Sequence, residues 1–597
     1  MDFSFGVNQR RPSSTENGLC VRAVCPDGWP YFRPARMEPT VQKKLARFAA
    51  SRGGAAPIGA KAGCPASPHN KSLKEREVFM ANEKKVRLPN VFEALLPIVV
   101  MAGLMIYGLH GGNYVDAHMP LIVAMCVACI IGTLCGHSFS DMLAGMLDRL
   151  YNTLEALLIL MTVGLLISSF MMSGTIPALI YYGLDLLTPK LFLPIGCCLC
   201  AIVGLACGSS WTATATIGIA MLGVGAGLGI NPAMTAGMII SGAYVGDKFS
   251  PLSDTTNLAA GVSNTGLFDH VTAMVSTTGP TFLLAVILYA ILGMNVDVAN
   301  YDPELAQGIQ AAMQEVCNIN IFLLIPILVI IVVCILKVPG LIGIMISVAT
   351  GVIFALIFQR DMGYTLSDVF DILHYGPWLE VEAGGAITEE VAEIVNKLLA
   401  KGGMDNTMWT INLVILAVAY GGALERAGCV EALFGGLKHK IKTVGQLVLA
   451  TMVTSIFCDA AMGDQFLGIS VPAPLYMDKF DELGLARNML SRTLEDAGTL
   501  WAVMFPWTGC GAYQMGVLGV HPFVYFPFAF VNLLNPIYAA ITAFLGRNIF
   551  WADGSYTNLL GKTVKKEPAA CPPEAHEYAV KQLEAMRAAG KAPKPQA

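Results

Sequence analysis

The chain has 597 residues, of which 55% are hydrophobic and only 14% charged, with a formal net charge of −5. A soluble chain carries roughly a quarter charged residues, so this composition excludes an ordinary soluble domain and indicates a membrane protein. Most of the charge lies in tails and loops, and no basic face with interleaved aromatics supports nucleic-acid binding. Of the 16 cysteines, Cys126, Cys129, Cys135, Cys197, Cys198, Cys200, Cys207, Cys334 and Cys458 fall inside apolar runs, where a thiol acts as a small hydrophobe. Cys126-x-x-Cys129 has no second Cys or His pair to complete a zinc set.

Residues 1–79 are rich in Arg, Pro, Ser and Gly and contain no apolar span. They are expected to be a disordered leader or an extension upstream of a natural start at Met80, where MANEKKVRLPN leads directly into an apolar run. Roughly 20 apolar residues cross a bilayer, and runs near 91–109, 119–136, 154–173, 191–207, 232–245, 271–293, 320–336, 340–358, 409–425, 443–460 and 523–545 read as spans. Pieces near 176–187, 208–230, 464–477 and 497–518 are apolar but interrupted by Gly, Thr and Pro. The reading is an all-α polytopic membrane protein with about 11–13 membrane segments. Residues 80–295 form one half, 296–318 an external acidic loop, 319–550 the second half with an external loop at 361–408, and 551–597 a cytoplasmic soluble tail. Orientation follows from the Lys and Arg of short loops. Lys84, Lys85, Arg87, Lys337, Arg426, Lys438, Lys440 and Lys442 place those loops and both termini in the cytoplasm of a bacterial inner membrane. The stretch 386–400 reads as a solvated helix.

Two stretches, 207–264 and 454–520, place polar residues in apolar surroundings. Ionised groups at membrane depth are costly and face a pathway or one another. Irregular backbone there survives only when protein or a water-filled cavity surrounds it. Gly246, Pro251 and Gly261, and then Gly463, Gly498, Pro506 and Gly509, supply breaks of this kind. Paired, Gly-interrupted polar segments in two halves indicate an inverted-repeat secondary transporter with broken helices or re-entrant hairpins. Asp247, Ser250, Ser253, Asp254, Thr255, Thr256 and Asn257 form a dense set of hard oxygen donors, suited to a small hard cation. Asp459, Asp464, Glu495, Asp496 and Thr499 repeat the theme in the second half.

Other polar residues have plainer readings. Lys248 is either a loop ion-pair partner of Asp247 or a pathway residue, and Arg492 either pairs with Glu495 at i,i+3 or gates. Ser209 and Thr212 read as cavity residues and Thr216 as helix packing. Trp211, Trp501 and Trp507 read as packing or interfacial anchors, Glu155 as interfacial, and His137 and His270 as structural. No nucleophile–base pair, phosphate loop or metal set argues for an enzyme, and no cofactor is expected. Breaks that come in pairs and not as a ring disfavour a channel.

The string GAYVGDKFSPLSDTTNLAAGV (242–262) resembles the NhaC-type sodium/proton antiporter family of the ion transporter superfamily. CGSSWTATATIGIAM (207–221), GDQFL (463–467), SRTLEDAGT (491–499) and NPIYAAITAF (535–544) are similar to other segments of that family, and the resemblance covers about residues 88–550. It implies two inverted repeats whose broken helices meet near the midplane, and sodium/proton exchange. Some relatives are thought to exchange sodium and protons with malate and lactate, or to move amino acids. Matched by motif, the implied site residues are Asp247, Asp254, Thr255, Asn257, Asp464, Glu495, Asp496 and Thr499. Asp254 is the expected competed carboxylate, with Asp247, Ser250, Ser253, Thr255 and Asn257 beside it and Asp496 and Glu495 as second-half partners; sodium is expected on Asp254, Thr255, Asn257 and Asp496. The expected partners are the lipid bilayer, sodium ions and protons, with a homodimer as the candidate assembly. The alternative cargo, a carboxylate or amino acid, would use Ser209 and Thr212 with Lys248 or Arg492 as its cationic partner. The chain departs from the family in its leader and at CDAAMGDQ (458–465), which leaves a ligand role for Asp459 open.

Overall fold

The computed structural model describes residues 86–110, 116–295 and 302–595, so the leader expected over 1–79 lies outside them. The described chain opens with α1 (Val91–His110) and α2 (His118–Leu134), which pack on each other. Next comes α3 (Phe139–Met172), whose first turn is closed by a reciprocal pair: Ser138 accepts from the Asp141 N–H, and the Asp141 carboxylate accepts from Ser138. This satisfies two of the donors that a helix start leaves open. Then follow α4 (Thr175–Leu186), α5 (Pro189–Cys207), the short α6 (Ser210–Ala213), a π-helical turn at Thr214–Gly218, α7 (Ile219–Gly227), α8 (Pro232–Phe249), α9 (Asp254–Val262) and α10 (Leu267–Asn295).

The middle of the chain holds α11 (Pro303–Val316), α12 (Ile325–Ile335), α13 (Gly340–Phe358), α14 (Leu366–Tyr375), α15 (Glu389–Leu399), α16 (Met404–Arg426) and α17 (Cys429–Phe434). The second set of broken elements is α18 (Val444–Met462), α19 (Gln465–Ser470), α20 (Pro472–Glu482), α21 (Arg487–Ala502), α22 (Gly509–Leu518), α23 (Pro522–Tyr525) and α24 (Phe530–Phe544). The C-terminal part forms a small antiparallel sheet, β1 (Ile549–Phe550), β2 (Ser555–Thr557) and β3 (Thr563–Lys565), followed by α25 (Pro573–Ala588).

Among the described residues, six helices are long and apolar enough to cross a bilayer alone, and two bent pairs, Pro303–Val316 with Ile321–Ile335 (91°) and Pro522–Phe528 with Phe530–Phe544 (60°), bring the count to eight if each pair is one span. Two shorter apolar stretches, Val91–Tyr107 and His118–Leu134, add to these. Much of the remaining apolar sequence is in half-length pieces. Leu283, Ile287 and Ile291 on α10 and Leu328, Val332 and Ile335 on α12 present exposed apolar faces, as lipid contact requires.

The two halves repeat one backbone pattern. In the first, α5 ends at Gly208 (φ 65°), Ser209 is extended (φ −154°, ψ 119°), and a short helix begins. In the second, α18 ends at Gly463 (φ 72°), Asp464 is extended (φ −144°, ψ 131°), and the short α19 begins. Both glycines occupy the left-handed region, which closes a helix and which side chains rarely adopt. Farther on, α8 breaks over 250–253 before α9, and α21 breaks over 503–508 before α22. The pieces interlock: α9 packs on α19 and α21, while α22 packs on the π turn and α7.

One stretch expected to be a loop is helical, and the helix expected over 386–400 is present as α15. Within the expected acidic loop, α11 buries Ala306, Ile309, Ala312 and Met313, and α15 buries Val391, Val395, Leu398 and Leu399 while leaving its acids outward. The tail is tied to the bundle: Ala486 N–H donates to the Phe550 carbonyl at 3.0 Å, and Leu583 of α25 is fully buried.

Candidate functional site

The site is set by how closely α8 approaches α5. Gly242 and Gly246 stand one turn apart on α8; a Cβ at Gly242 would lie 2.3 Å from the Cys197 carbonyl oxygen, and one at Gly246 would lie 2.2 Å from that of Ala201. Small residues at this spacing let two backbones touch. The contact brings the C-terminal tip of α8 to the break after Gly208. There Asp247 is 5% exposed, and its Oδ2 accepts a hydrogen bond from Ser210 Oγ at 2.8 Å. The other oxygen, Oδ1, is buried and has no hydrogen-bond partner. Asp247 lines a cavity of about 50 Å³ whose other polar walls are Ser209, Ser210, Ser253, Asp254, Thr255 and Gln465. Ser253 Oγ and Thr255 Oγ1 lie 3.0 Å apart, and Gln465 Oε1 is buried without a partner. Among the described residues, no Lys, Arg or His lines this cavity. Two carboxylates, hydroxyls and an amide oxygen around a small space form a donor set for a hard cation.

A wider cavity of about 280 Å³ shares Ile159, Gly208, Ser209 and Asp254 with the first and adds Glu155, Thr212 and Lys337. Asp254 is exposed and stands where the two meet.

Lys248, one residue along α8, carries its side chain into a different environment. Its Nζ lies 2.9 Å from Asp496 Oδ1, and both side chains are fully buried. That same oxygen accepts from Asn535 Nδ2 at 2.8 Å and Thr277 Oγ1 at 3.1 Å. The Arg492 Nε stands 3.7 Å from Asp496 Oδ2, and its NH1 donates to the Asn548 carbonyl at 2.8 Å. Glu495 is also fully buried; its Oε2 lies 3.1 Å from His270 Nε2, and its Oε1 accepts from Thr256 and Thr499 at 3.4 Å. An ion pair out of water persists when further hydrogen bonds satisfy its atoms; groups from α8, α9, α10, α21 and α24 supply them to Asp496 Oδ1 and to both Glu495 oxygens, whereas Asp496 Oδ2 and Arg492 Nε are buried without a hydrogen bond.

The four residues expected to share a sodium ion do not line one cavity. Asp254 and Thr255 do, but Asn257 is exposed and donates to the Pro251 and Ser253 carbonyls at 3.1 and 2.8 Å. Asp496 is engaged by Lys248. Ser250 is buried at the end of α8, where its Oγ accepts from the Leu252 N–H at 3.3 Å; it shapes the break and does not line either cavity. Asp464 heads α19 beside Gln465 and is 7% exposed. Asp459 is fully buried with neither carboxylate oxygen partnered, packed so tightly that a Cβ on Gly468 would lie 1.8 Å from Oδ1. Thr216 donates back to the Thr212 carbonyl at 2.8 Å, and Trp211 stacks on Tyr513 with centroids 4.6 Å apart. Arg492 pairs with Asp496 and not with Glu495, whose partner is His270.

The sequence profile of the Na+/H+ antiporter family matches residues 242–547, a range that begins at the α8 glycine pair and runs through Asn535. The Na(+)/H(+) antiporter NhaC of Alkalihalophilus pseudofirmus is 34% identical over 432 residues, covering 72% of this chain and 91% of its own. The chain belongs to the Na+/H+ antiporter family. Two other relatives carry different names: the malate-2H(+)/Na(+)-lactate antiporter of Bacillus subtilis, 32% identical over 79% of this chain and 98% of its own, and the arginine/ornithine antiporter ArcD of Halobacterium salinarum, 33% identical over 78% and 94%.

Sequence reasoning missed four participants: Ser210, Gln465, Asn535 and the buried role of His270. Ser210 and Gln465 were legible as polar residues following the two left-handed glycines, and Asn535 as an amide in the middle of an apolar helix. His270 offered no such sign.

Proposed function

We propose that this member of the family exchanges sodium ions for protons across a bacterial cytoplasmic membrane, with sodium held in the small cavity at Asp247. One observation carries this reading: Asp247, one of whose carboxylate oxygens is buried without a partner, lines a space walled by hydroxyl, carboxylate and amide oxygens and, among the described residues, by no cationic side chain. A buried charge without compensation is costly, so the carboxylate favours a bound cation. Asp247 therefore replaces Asp254 as the central acid, and Asp254, with Glu155, concentrates cations at the mouth. The Lys and Arg of the short loops support cytoplasmic termini. Everted vesicles loaded with a proton-sensitive dye test the reading. Adding sodium should collapse a respiration-driven proton gradient, and no response to sodium would refute it.

A second reading, an organic ion moving with sodium, is favoured by the outer cavity, which at about 280 Å³ is larger and includes Lys337 beside Glu155 and Asp254. Against an anionic cargo stands the inner cavity, where an organic carboxylate would meet Asp247 and Asp254 without a countercharge. Adding malate, lactate or arginine to the same vesicles separates the two, because only a coupled cargo changes the sodium response.

A further inference from the structure

The charged groups around the tip of α8 do not balance on their own. Among the described residues, Asp247, Glu495 and Asp496 are buried beside two fixed cations, Lys248 and Arg492, and Asp459 and Asp464 are buried on the neighbouring α18 and α19. Negative charge is in excess. A sodium ion at Asp247 offsets one unit of it, and so does one proton elsewhere in the network. Uncompensated charge away from water is strongly disfavoured, so the two compensations compete.

The geometry points to His270 as the seat of that proton; this inference rests on the sodium/proton reading above. His270 on α10 is fully buried, with Nδ1 2.8 Å from Ser491 Oγ and Nε2 3.1 Å from Glu495 Oε2. Ser491 is the adaptable element, because its hydroxyl also lies 3.2 Å from the Asn488 carbonyl oxygen. In the charged state, the imidazolium donates Nε2–H to Glu495 and Nδ1–H to Ser491 Oγ, whose own proton goes to Asn488. Loss of the Nδ1 proton leaves a lone pair there. The Ser491 hydroxyl then turns to donate to it, while Nε2–H stays on Glu495. The two states differ by one proton, and neither leaves a ring nitrogen unsatisfied. A hydroxyl rotates freely enough to serve both, and imidazole is the side chain that changes charge near neutral pH.

The pair also bridges the halves: His270 and Thr256 come from the first, and Glu495 and Ser491 from the second. The other charged groups around it are Arg492 and Asp496 on α21 and Asp247 and Lys248 on α8, while Asp269 on its own helix is turned to the Ala570 N–H at 2.9 Å. Glu495 is near enough to Asp247 for their charges to interact, which carries the occupancy of one site to the other.

The test is binding of radiolabelled sodium to the purified full-length protein at a series of pH values. In the wild type, affinity should weaken by about tenfold per pH unit on the acid side. His270→Gln should keep sodium binding and lose most of that slope. Ser491→Ala, which removes the acceptor for Nδ1–H, should shift the midpoint to lower pH. An undiminished slope in His270→Gln overturns the inference; should that variant fail to fold, an unshifted midpoint in Ser491→Ala overturns it. Absence of saturable sodium binding in the wild type at every pH would instead refute the exchange reading on which it rests.

Discussion

Asp247 and Lys248 are neighbours in sequence and opposites in environment. The aspartate keeps one oxygen unpartnered and lines a cavity, whereas the lysine is locked onto Asp496 by an oxygen that also takes bonds from Asn535 and Thr277. A dense cross-half network, in which only Asp496 Oδ2 and Arg492 Nε lack a hydrogen bond among the described residues, holds the two halves in register, while an unpartnered acid lining a small space is a candidate place for a ligand. The same turn of α8 thus carries a site on one side and a cross-half tie on the other.

Breaking the two sides should have different consequences. Asp247→Asn removes the charge that lines the cavity. It should reduce sodium-dependent proton flux by at least about 100-fold, roughly 2.7 kcal/mol, with the amount of membrane-inserted protein unchanged on immunoblots. Asp496→Leu should act on stability, because it strands Lys248 without a counter-ion, a loss of about 3–5 kcal/mol for a buried pair. Thermal melting in detergent should show it, and the double variant Lys248→Met/Asp496→Leu should recover most of the loss without recovering transport. A double variant as unstable as the single one would break the distinction drawn here.

A smaller effect sharpens the geometric basis. Gly246→Ala places a methyl 2.2 Å from the Ala201 carbonyl, so α8 must move away from α5, whereas Gly261→Ala meets nothing within 4 Å. The first should cost about 1–3 kcal/mol in detergent melting, and the second should leave the melting temperature near wild type. Asp254→Asn should have the mildest consequence, an increase of about 2- to 5-fold in the sodium concentration for half-maximal flux, since an exposed mouth charge acts through a screened field.

The sequence read by itself anticipated the helical membrane architecture, the paired breaks and the family. These follow from apolar length and from polar residues beside Gly and Pro, both of which are local signals. It also singled out Glu495, Asp496 and Thr499, which with Arg492 fall on one helical face at i, i+3, i+4 and i+7. The proposed site centres on Asp247 where the sequence favoured Asp254, for a definite reason. The irregular turn at 250–253 separates the two, and across such a break the helical phase of α8 says nothing about which way α9 presents its residues. Pairing Lys248 with its sequence neighbour missed Asp496 in the same way, because a cross-half contact leaves no periodic trace. The interrupted apolar runs 208–230 and 497–518 are built as half-helices, as their Gly, Thr and Pro breaks imply.

The central claim is that sodium binds at the free oxygen of Asp247. Isothermal titration of the purified protein with sodium at alkaline pH, comparing wild type with Asp247→Asn, tests it most directly. Saturable binding in the wild type that disappears in the variant is the predicted result; saturable binding of equal affinity in both would contradict it.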